Sequence, residues 1–462
     1  MIVSRVFAGK TYAVLGLARS GLATVDTLVA SGARVVAWDT REEAQALVVD
    51  KAEIADPLTI DLAGFDGIVV SPGVPLNRHP IAQKARDAGV PVIGDIELFA
   101  LARPTLPPHR VVGITGTNGK STTTALIHHI IASAGIPTAM GGNIGLPVLG
   151  EEPLPEGGIY VLELSSYQID LTYSLDCDVA VLLNITPDHL DRYEGFEGYV
   201  ASKLRLFEMM KPPHIGVLNW HTDFGKKLYR QLSEIHEFRI WTNYDDNADD
   251  PYELWGAFDE NGQTASRDHL STQKDWPALQ GPHSAQNAIS AILACSALGI
   301  AETVISDALK TFSSLPHRMQ RVAQVNGVLY VNDSKATNAA STAPALAAYP
   351  PVDGRPRIHW ILGGIAKTDN LDECEPYFPN IAHAYTIGES GHMFADLLRP
   401  HMVVDDSEML LTAVRRAARI AQPGDVVLLS PACASFDQFR DFEARGDAFV
   451  AAVSALQEGH DG

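Results

Sequence analysis

The stretch VVGITGTNGKSTTTALIHHIIASAG, residues 111–135, decides the fold class of this chain. An apolar segment typical of a strand runs into a glycine-rich loop, and a helical pattern of apolar residues follows. In such a loop, successive backbone N–H groups and the helix N-terminus bind phosphate oxygens. Lys120 is placed to reach terminal phosphates, and the Ser121 hydroxyl is placed to face Mg²⁺. The strict phosphate-loop pattern fails at one position, where Ile114 replaces glycine, so an ordinary glycine-rich turn is the other interpretation.

Alternation of strands and helices extends from this loop in both directions. Strands are predicted in TYAVLG (11–16), RVVAWD (34–39), GIVVSPG (67–73), IYVLELSS (159–166), VAVLLNIT (179–186), GVLYVNDS (327–334), RIHWILGG (357–364) and DVVLLSPA (425–432). Strands that alternate with helices in this way indicate parallel, doubly wound sheets. The predicted fold class is therefore α/β.

Two candidate boundaries divide the chain into three α/β domains. The proline-rich stretch RPTLPPHR, residues 103–110, lacks periodicity and predicts a linker, and a second boundary falls near LPHR, residues 315–318. The expected domains are a Rossmann-like N-terminal domain in 1–106, a central P-loop-type ATPase domain with a parallel sheet in 107–315, and a Rossmann-like C-terminal domain in 316–462. The polar residues 221–280 predict short strands and loops at the edge of the central domain.

The composition excludes several classes of function. The chain has 462 residues, with 35 Lys and Arg against 56 Asp and Glu, so its formal net charge is −21. That charge argues against a general nucleic-acid binder and against a basic membrane-surface protein. The four cysteines form no CxxC pair, which indicates neither a zinc site nor a disulfide framework and fits a reducing cytoplasm. Since no apolar run of about 18 residues and no signal-peptide pattern is found, we expect a cytoplasmic protein.

A second glycine-rich loop, Gly16 to Gly21, follows the first predicted strand. A dinucleotide fingerprint has a glycine where this chain has Ala18. Asp39 ends the next strand, where an acidic residue meets a ribose or a base in Rossmann-like sites. The pattern predicts a site for the nucleotide portion of a ligand and gives weak support for NAD. A tight turn with a solvated aspartate is the alternative.

Further candidates lie near the phosphate loop. Glu163 ends a predicted strand, where a carboxylate binds Mg²⁺ or is a buried, paired side chain. His189 follows another strand beside Asp188 and is either a metal ligand or a hydrogen-bonded loop residue. The spacing of Lys203 and Arg205 alone predicts a solvated helix face.

Three polar loops follow strands in the last part of the chain: Asn332–Asn338, the loop that carries Lys367, and Pro431–Ser435. Open α/β sheets bind ligands at the carboxyl ends of their strands. Lys335 and Lys367, together with nearby hydroxyl groups, therefore predict a site for a small dianionic ligand. Each loop taken alone is equally explained as an ordinary capped connection.

Eight motifs in this order resemble the Mur ligase family of peptidoglycan synthesis: TGTNGKST (115–122), ELSSYQ (163–168), ITPDHLDRY (185–193), SKLRLF (202–207), LPHR (315–318), NDSKATN (332–338), LGGIAK (362–367) and SPACASFDQF (430–439). NDSKATN and SPACASFDQF are the specific part of the match, which runs through all three predicted domains. The resemblance implies an ATP-dependent amide ligase that adds D-glutamate to UDP-N-acetylmuramoyl-L-alanine through an acyl phosphate. It further implies a cytoplasmic monomer with no nucleic-acid or membrane partner.

The resemblance also implies roles for individual residues. ATP is expected at Gly116, Thr117, Asn118, Gly119, Lys120, Ser121, Thr122, Asn287, Arg318 and Asp333. The UDP-linked substrate is expected at Leu17, Asp39, Thr40, Gly73, Asn143 and Ser165. D-glutamate is expected at Lys335, Thr337, Lys367, Ser435, Phe436 and Phe442. Two Mg²⁺ ions are expected at Ser121, Glu163, His189 and Lys203, and catalysis is assigned to Lys120, Glu163, His189 and Lys203.

Lys203 receives a role that its spacing does not predict. It matches the family lysine that is carbamylated, which turns an ammonium into a carboxylate-like metal ligand. An unmodified ammonium would repel a metal ion, so the modification reverses the local charge. The resemblance thus replaces the interpretation of Lys203 as part of a solvated helix face.

Three other classes of protein each explain part of the sequence pattern. A folylpolyglutamate synthase-like ligase shares the central domain but lacks a UDP-binding N-terminal domain. A nicotinamide dehydrogenase uses the first glycine-rich loop but leaves the GKS loop without a role. A non-enzymatic nucleotide switch uses the GKS loop but leaves the lysine pair of the third domain unexplained.

Overall fold

The first sheet has five parallel strands. The protein is described here by a computed structural model that covers residues 1–188, 192–219, 223–232, 237–241, 257–258 and 273–458. The strands are β1 (Thr11–Leu15), β2 (Arg34–Trp38), β3 (Glu53–Ile54), β4 (Gly67–Val70) and β5 (Val92–Ile93), and the helices are α1 (Arg19–Ala30), α2 (Glu42–Ala46), α3 (Ile81–Ala88) and α4 (Asp95–Ala102). The strand order is β3-β2-β1-β4-β5. The loops after β1 and β4 therefore flank the point where the order reverses, which is the ligand-binding crevice of such sheets.

The second sheet carries the phosphate loop and has seven strands among the residues that the structure describes. Its strands are β6 (His109–Thr115), β7 (Thr138–Gly142), β8 (Gly158–Glu163), β9 (Val179–Leu182), β10 (Ile215–Asn219), β11 (Glu237–Trp241) and β12 (Ala257–Phe258). The helices of this part of the chain are α5 (Lys120–Ser133), α6 (Ser166–Asp170), α7 (Gly195–Glu208), α8 (Asp223–Leu232), α9 (Pro282–Ala297) and α10 (Glu302–Thr311). The order is β12-β11-β10-β9-β6-β8-β7; β12 pairs antiparallel with β11, and the other described pairs are parallel. Because β6 lies between β9 and β8, the loops after these three strands meet at one edge.

The third sheet has six strands. They are β13 (Gln320–Val325), β14 (Val328–Asn332), β15 (Ile358–Gly363), β16 (Ile381–Ile387), β17 (Val404–Glu408) and β18 (Val426–Leu429), and the helices are α11 (Ala339–Ala347), α12 (Gly391–Leu398), α13 (Leu410–Ile420) and α14 (Phe442–Glu458). The order is β13-β14-β18-β15-β16-β17, with β13 antiparallel to β14 and the other pairs parallel. Since β18 lies between β14 and β15, the three polar loops predicted from the sequence follow neighbouring strands.

These three sheets confirm the α/β fold class with parallel sheets. All residues of β4, β15 and β18 are buried, which explains why these strands are continuous apolar runs rather than alternating patterns. The first two sheets lie in one compact unit and the third sheet lies in a second unit. In the described part of the chain, no helix is both long and apolar enough to span a membrane.

The predicted first linker is packed rather than extended. Arg103–Thr105 forms a 3₁₀ turn that continues α4, and Arg103 Nε donates to His109 Nε2 at 3.1 Å. The Phe99 ring contacts the Tyr160 ring edge-on, with centroids 4.9 Å apart. The first two sheets therefore share one hydrophobic core across the linker. The division of the chain at 106/107 and 315/316 stays a proposal.

The stretch 221–280 contains a helix that the sequence analysis did not predict. The expectation of short strands is met by β11 and β12, but α8 is helical. Among the side chains of α8 that the structure describes, Phe224 and Leu228 lie four residues apart and pack against the hydrophobic core. Within this stretch the structure describes residues 223–232, 237–241, 257–258 and 273–280.

Candidate active site

The phosphate loop joins β6 to α5 in a tight turn. Gly116 has φ +149°, and a Cβ atom there would lie 3.0 Å from the Leu183 Cβ, so a side chain would be strained and crowded. Asn184, which follows β9, braces the loop: its backbone oxygen accepts from Thr117 N at 2.9 Å and its Oδ1 accepts from Asn118 N at 2.9 Å. The first turn of a helix presents N–H groups that have no intrahelical acceptor. The loop and α5 thus form the anion-binding geometry that the sequence predicts.

Two lysines converge on this loop. Lys120, the first residue of α5, donates from Nζ to the Gly116 oxygen at 2.9 Å and to the Thr117 oxygen at 2.7 Å. Lys203 on α7 donates from Nζ to the same Gly116 oxygen at 2.8 Å. Only 1% of Lys203 is exposed, so the interpretation of Lys203 as a solvated helix residue is wrong. The period of α7 is helical as expected, but it places Lys203 on the face that packs against the phosphate loop.

Burial and like charge change the chemistry of Lys203. The pKa of its ammonium is well below the usual value, first because of burial and second because of the charge of Lys120. Asp188, Asp170 and Glu163 act in the opposite direction. The Lys203 Nζ also lies 4.6 Å from the centre of the Tyr199 ring. Lowering the pKa increases the fraction of neutral amine, which is the nucleophilic form of lysine.

Glu163 ends β8 next to the phosphate loop and has one oxygen without a partner. Its Oε1 accepts from Asn143 Nδ2 at 2.9 Å, whereas Oε2 is buried and accepts no hydrogen bond from the described residues. Gly142 has φ +91°, and a Cβ there would lie 2.1 Å from the Glu163 backbone oxygen, so glycine brings Asn143 into place. A buried, unpaired carboxylate oxygen beside a phosphate loop fits a hard cation such as Mg²⁺.

Ser121 and His189 are the other unmodified side chains expected to bind Mg²⁺. Ser121 is buried in the first turn of α5. His189 lies outside the described residues. Within the described ranges, no group of three or more His, Cys, Asp or Glu side chains is arranged to hold a metal ion. Mg²⁺ keeps several waters and is commonly bound by one or two carboxylates plus substrate phosphates, so such a cluster is not required.

In the first sheet, Asp39 braces the loop that follows β1. Its Oδ2 accepts from Leu17 N at 2.7 Å, and its Oδ1 accepts from Arg41 Nε at 3.0 Å. The Arg41 hydrogen bond lowers the pKa of Asp39 to about 2, against the effect of burial. Thr40 between them is exposed. The structure thus brings Leu17, Asp39 and Thr40 together and adds Arg41, which the sequence analysis did not identify.

Arg192 connects the loop after β4 to the central part of the chain. Its Nη2 donates to the Val74 oxygen at 3.0 Å, and Nη1 donates to the oxygen of Gly73 at 3.5 Å. The guanidinium lies 4.1 Å from the centre of the Tyr167 ring. A cleft of about 110 Å³ lies at this place, lined by Pro72, Val74, Leu76, Asn77, Tyr167, Asp170, Leu171, Arg192 and Tyr193. Arg192 therefore links Gly73, which is exposed, to Tyr167, which lies two residues after Ser165.

Ser165 has a structural partner at the start of α6. Its Oγ accepts from Gln168 N at 3.2 Å, and Gln168 Oε1 accepts from Ser165 N at 3.1 Å, which is a reciprocal capping box. The same pattern recurs at Asn338 and Ser341 before α11. Ser165 is half-buried and lies two residues after Glu163, at the sheet edge that carries the phosphate loop.

The third sheet places the remaining candidates on its strand ends. Asp333 accepts from Ser430 Oγ at 2.8 Å and from Met319 N at 3.1 Å. Burial raises the pKa of Asp333 to about 7, and the charge of Arg318 opposes this rise. Arg318 and Asp333 are therefore close enough to interact. Asn287 lies in the second turn of α9, half-buried, and its relation to the phosphate loop stays a prediction.

The site predicted for a small dianionic ligand contains two lysine side chains and two hydroxyl groups. Lys335 Nζ lies 4.0 Å from the centre of the Phe442 ring, and Lys367 Nζ donates to Thr337 Oγ1 at 3.5 Å. Ser435 is 1% exposed, and within the described part of the chain its Oγ finds no hydrogen-bond partner.

Phe436 and Ala432 lie close in sequence to Ser435, after strand β18. Phe436 is 71% exposed. Ala432, in the same loop, has φ +56°, a strained conformation for a residue that is not glycine. Strain of this kind concentrates at ligand sites, because the surrounding structure must maintain it.

With this geometry in place, comparison with known proteins identifies the class. Three family descriptions match the chain: Mur ligase MurD-like N-terminal domain over residues 10–94, Mur ligase middle domain over 114–295, and Mur ligase glutamate ligase domain over 317–433. The chain belongs to the Mur ligase family.

Individual relatives are similar over nearly the whole length. The UDP-N-acetylmuramoylalanine–D-glutamate ligase of Novosphingobium aromaticivorans is 62% identical and covers 99% of this chain and 97% of its own. The protein of the same name from Sphingopyxis alaskensis is 58% identical over 99% of this chain and 100% of its own. The same name belongs to a Caulobacter vibrioides protein that is 43% identical, with 99% and 98% covered.

Solved structures confirm the fold. UDP-N-acetylmuramate-alanine ligase MurC from Thermotoga maritima matches with a TM-score of 0.59 and 17% identity, covering 96% of this chain and 99% of that one. MurF ligase from Thermotoga maritima, solved in complex with ADP, matches with a TM-score of 0.57 and 14% identity, covering 99% and 98%. At these identities the likeness establishes the three-domain α/β fold alone.

Proposed function

We propose that this protein is an ATP-dependent amide ligase that joins D-glutamate to UDP-N-acetylmuramoyl-L-alanine. The observation that carries the proposal is a phosphate loop whose Gly116 oxygen accepts hydrogen bonds from both Lys120 and Lys203. Beside this loop, the carboxylate of Glu163 has one buried oxygen without a hydrogen-bond partner among the described residues. The 62% identity to a relative named for this reaction supports the choice of substrates. We further propose that the protein acts in the cytoplasm as a monomer, in the synthesis of peptidoglycan precursors.

ATP is proposed to bind at the loop from Gly116 to Thr122. The loop N–H groups and the start of α5 would contact phosphate oxygens, and Lys120 would exchange its carbonyl partners for the terminal phosphates. Asn287, Arg318 and Asp333 are proposed as further ATP contacts, on the strength of the family resemblance. The hydrogen bonds from Lys120 Nζ to Gly116 and Thr117 end on neutral carbonyl oxygens, and a phosphate would be a stronger partner than either.

Two Mg²⁺ ions are proposed to bind at Ser121, Glu163, His189 and a carbamate on Lys203. The free Oε2 of Glu163 fits this role, and so does the buried hydroxyl of Ser121. When bound, Mg²⁺ neutralises charge on phosphate oxygens. The carbamate would form when the neutral Nζ of Lys203 attacks the carbon of CO₂ and one proton is released. Burial of Lys203 supports the step, because it favours the neutral amine.

The UDP-linked substrate is proposed to lie along the first sheet and the edge of the second. Leu17, Asp39, Thr40 and Gly73 would contact the uridine diphosphate, and Asn143 and Ser165 would contact the muramoyl-alanine portion. The crevice between the loops after β1 and β4 supports this assignment. Arg41 would orient Asp39, since it contacts both carboxylate oxygens.

The reaction needs activation of a carboxylate before an amine attacks it. The L-alanine carboxylate oxygen would attack the γ-phosphorus of ATP, which releases ADP and forms an acyl phosphate. The amine of D-glutamate would then attack the acyl carbon, with loss of a proton and release of phosphate. Lys120 would stabilise charge on the transferred phosphoryl group. Positioning and electrostatics are the contributions of the chain to such a reaction.

D-glutamate is proposed to bind at the ends of β14, β15 and β18. Lys335 and Lys367 would face its two carboxylates, and Ser435 would donate to one of them through its unpaired hydroxyl. Thr337, Phe436 and Phe442 would complete the site. Phosphate release with ATP, UDP-N-acetylmuramoyl-L-alanine and either D- or L-glutamate tests the proposal. Release that requires both D-glutamate and the UDP-linked substrate supports it, and release that is unchanged when the UDP-linked substrate is left out contradicts it.

Lys367→Ala is expected to raise the KM for D-glutamate about thirtyfold, since loss of one partner of a charge pair costs at least about 2 kcal/mol. The lower end of the range applies because Lys367 is exposed. The KM for ATP is expected to change little, because Lys367 is not among the residues proposed to contact ATP. Steady-state kinetics with each substrate varied checks this, with exposed Lys310→Ala as control. Equal changes for both substrates would show that Lys367 is structural.

Arg192→Met is expected to raise the KM for UDP-N-acetylmuramoyl-L-alanine about tenfold, as expected for losing a charged hydrogen-bond donor. The physical reason is that Arg192 restrains Gly73 and Val74 through their carbonyl oxygens. Arg34→Met, which removes an exposed ion pair with Glu53, serves as the control. The same measurement with ATP varied should show no comparable change, and a parallel rise in that KM would contradict the prediction.

A further inference from the structure

Arg445 is a buried arginine among the loops of the third sheet. It lies in the first turn of α14, and 1% of its surface is exposed. Its Nε donates to Ser334 Oγ at 3.0 Å, and its Nη2 donates to the backbone oxygens of Ser334 at 2.9 Å and Cys433 at 3.0 Å. Its Nη1 donates to the backbone oxygens of Gly363 and Ala434, both at 3.4 Å. These five contacts use the five N–H donors of a guanidinium.

These acceptors belong to the three loops that carry the proposed D-glutamate site. Ser334 precedes Lys335, and Ala434 precedes Ser435. Gly363 ends β15, four residues before Lys367. The adjoining Ile365 and Ala434 also exchange backbone hydrogen bonds of 3.0 Å in both directions. One side chain therefore fixes the relative position of all three loops.

The charge of Arg445 has no close carboxylate partner. Among the described residues, no carboxylate oxygen lies within 4 Å of its guanidinium, although Asp437 contributes at longer range. Burial lowers the pKa of Arg445 to about 10, so the side chain is charged at neutral pH. A buried and unpaired charge is costly, and neutral side chains can connect loops at lower cost. A ligand with negative charge would offset that cost.

We propose that Arg445 is a positioning residue for the amino-acid substrate: it aligns the loops that carry Lys335, Lys367 and Ser435 and adds positive potential that favours a dicarboxylate. This inference rests on the proposed function. It distinguishes Arg445 from Lys335 and Lys367, which would contact the substrate directly. Arg445 Nη2 donates directly to the Cys433 backbone oxygen, in the loop that leads to Ser435.

Arg445→Met and Arg445→Lys test the inference by steady-state kinetics. Arg445→Met is expected to raise the KM for D-glutamate about tenfold to a hundredfold, as for lost hydrogen bonds of a charged group. The KM values for ATP and the UDP-linked substrate should stay near those of the wild type. Arg445→Lys keeps the charge but not the five-way bridge, so a smaller rise is expected. The exposed Arg419→Met is the matched control.

A rise confined to the KM for D-glutamate is the readout that a purely structural role would not give, and guanidinium chloride tests whether the lost cation causes that rise. Millimolar guanidinium should partly restore the KM for D-glutamate in Arg445→Met, whereas sodium chloride at equal concentration should not. If Arg445→Met does not fold by circular dichroism, the KM of Arg445→Lys decides. An unchanged KM for D-glutamate, or an equal rise in the KM for ATP, overturns the inference. Absence of wild-type turnover with D-glutamate would instead overturn the proposed function, and this inference with it.

Discussion

Lys120→Ala is expected to lower turnover roughly a thousandfold, the effect of removing one preorganised electrostatic donor. In the structure, Lys120 Nζ contacts the Gly116 and Thr117 oxygens, so the side chain is already directed along the loop. Alanine keeps the helix propensity of the first turn of α5, and the folded state should be retained. The loss should therefore appear in the phosphoryl-transfer step rather than in the amount of folded protein.

Phosphate release measured with all three substrates checks this result. The exposed Lys211→Ala is the matched control, since it also removes one lysine charge from the same compact unit. Thermal unfolding should show similar transitions for Lys120→Ala and the wild type. Near-normal phosphate release by a folded Lys120→Ala protein would refute the assignment of the loop to ATP.

Local sequence patterns predicted much of the fold and of the site. The α/β class followed from strand–helix alternation, and the phosphate loop followed from the residues at 115–122. The polar loops after β14, β15 and β18 were also predicted to lie at strand ends. Their convergence depends on strand order, which places β18 between the other two. Strand order is set by long-range pairing, and no short segment encodes it.

The side chains that the sequence analysis missed act through such long-range contacts. Asn184 braces the phosphate loop 66 positions away, and Arg445 bonds Ser334 across 111 positions. Asn184 had a usable signal, because it is a polar residue directly after an apolar strand. The sequence held no such signal for the burial of Lys203. Helical spacing predicts which residues share a face of the helix, but it does not predict which neighbouring element covers that face. The resemblance implied a role for Lys203 that stays a proposal, and the hydrogen bond from its Nζ to the Gly116 oxygen shows that the side chain reaches the phosphate loop.

Lys203→Arg is expected to lower turnover roughly a hundredfold to a thousandfold, although the substitution keeps the positive charge. A neutral Lys203 amine can react with CO₂, because burial and the Lys120 charge lower its pKa. A guanidinium is charged at all relevant pH values and cannot form this carbamate. Arginine would thus place a fixed cation where an anionic metal ligand is proposed. Lys203→Glu should retain a little activity, because it supplies a shorter carboxylate.

Carbon-13 NMR of protein equilibrated with labelled bicarbonate measures the modification itself. A carbamate signal is expected in the wild type and in the exposed control Lys211→Arg, and it should be missing in Lys203→Arg. A crystal structure with nucleotide and Mg²⁺ bound should show planar density beyond Nζ of Lys203, within coordination distance of the metal. Wild-type rates for Lys203→Arg would refute the role, and so would an unmodified Lys203 ammonium in that structure. Carbamylation depends on dissolved CO₂, so CO₂-free buffer should lower wild-type turnover while leaving Lys203→Glu unaffected.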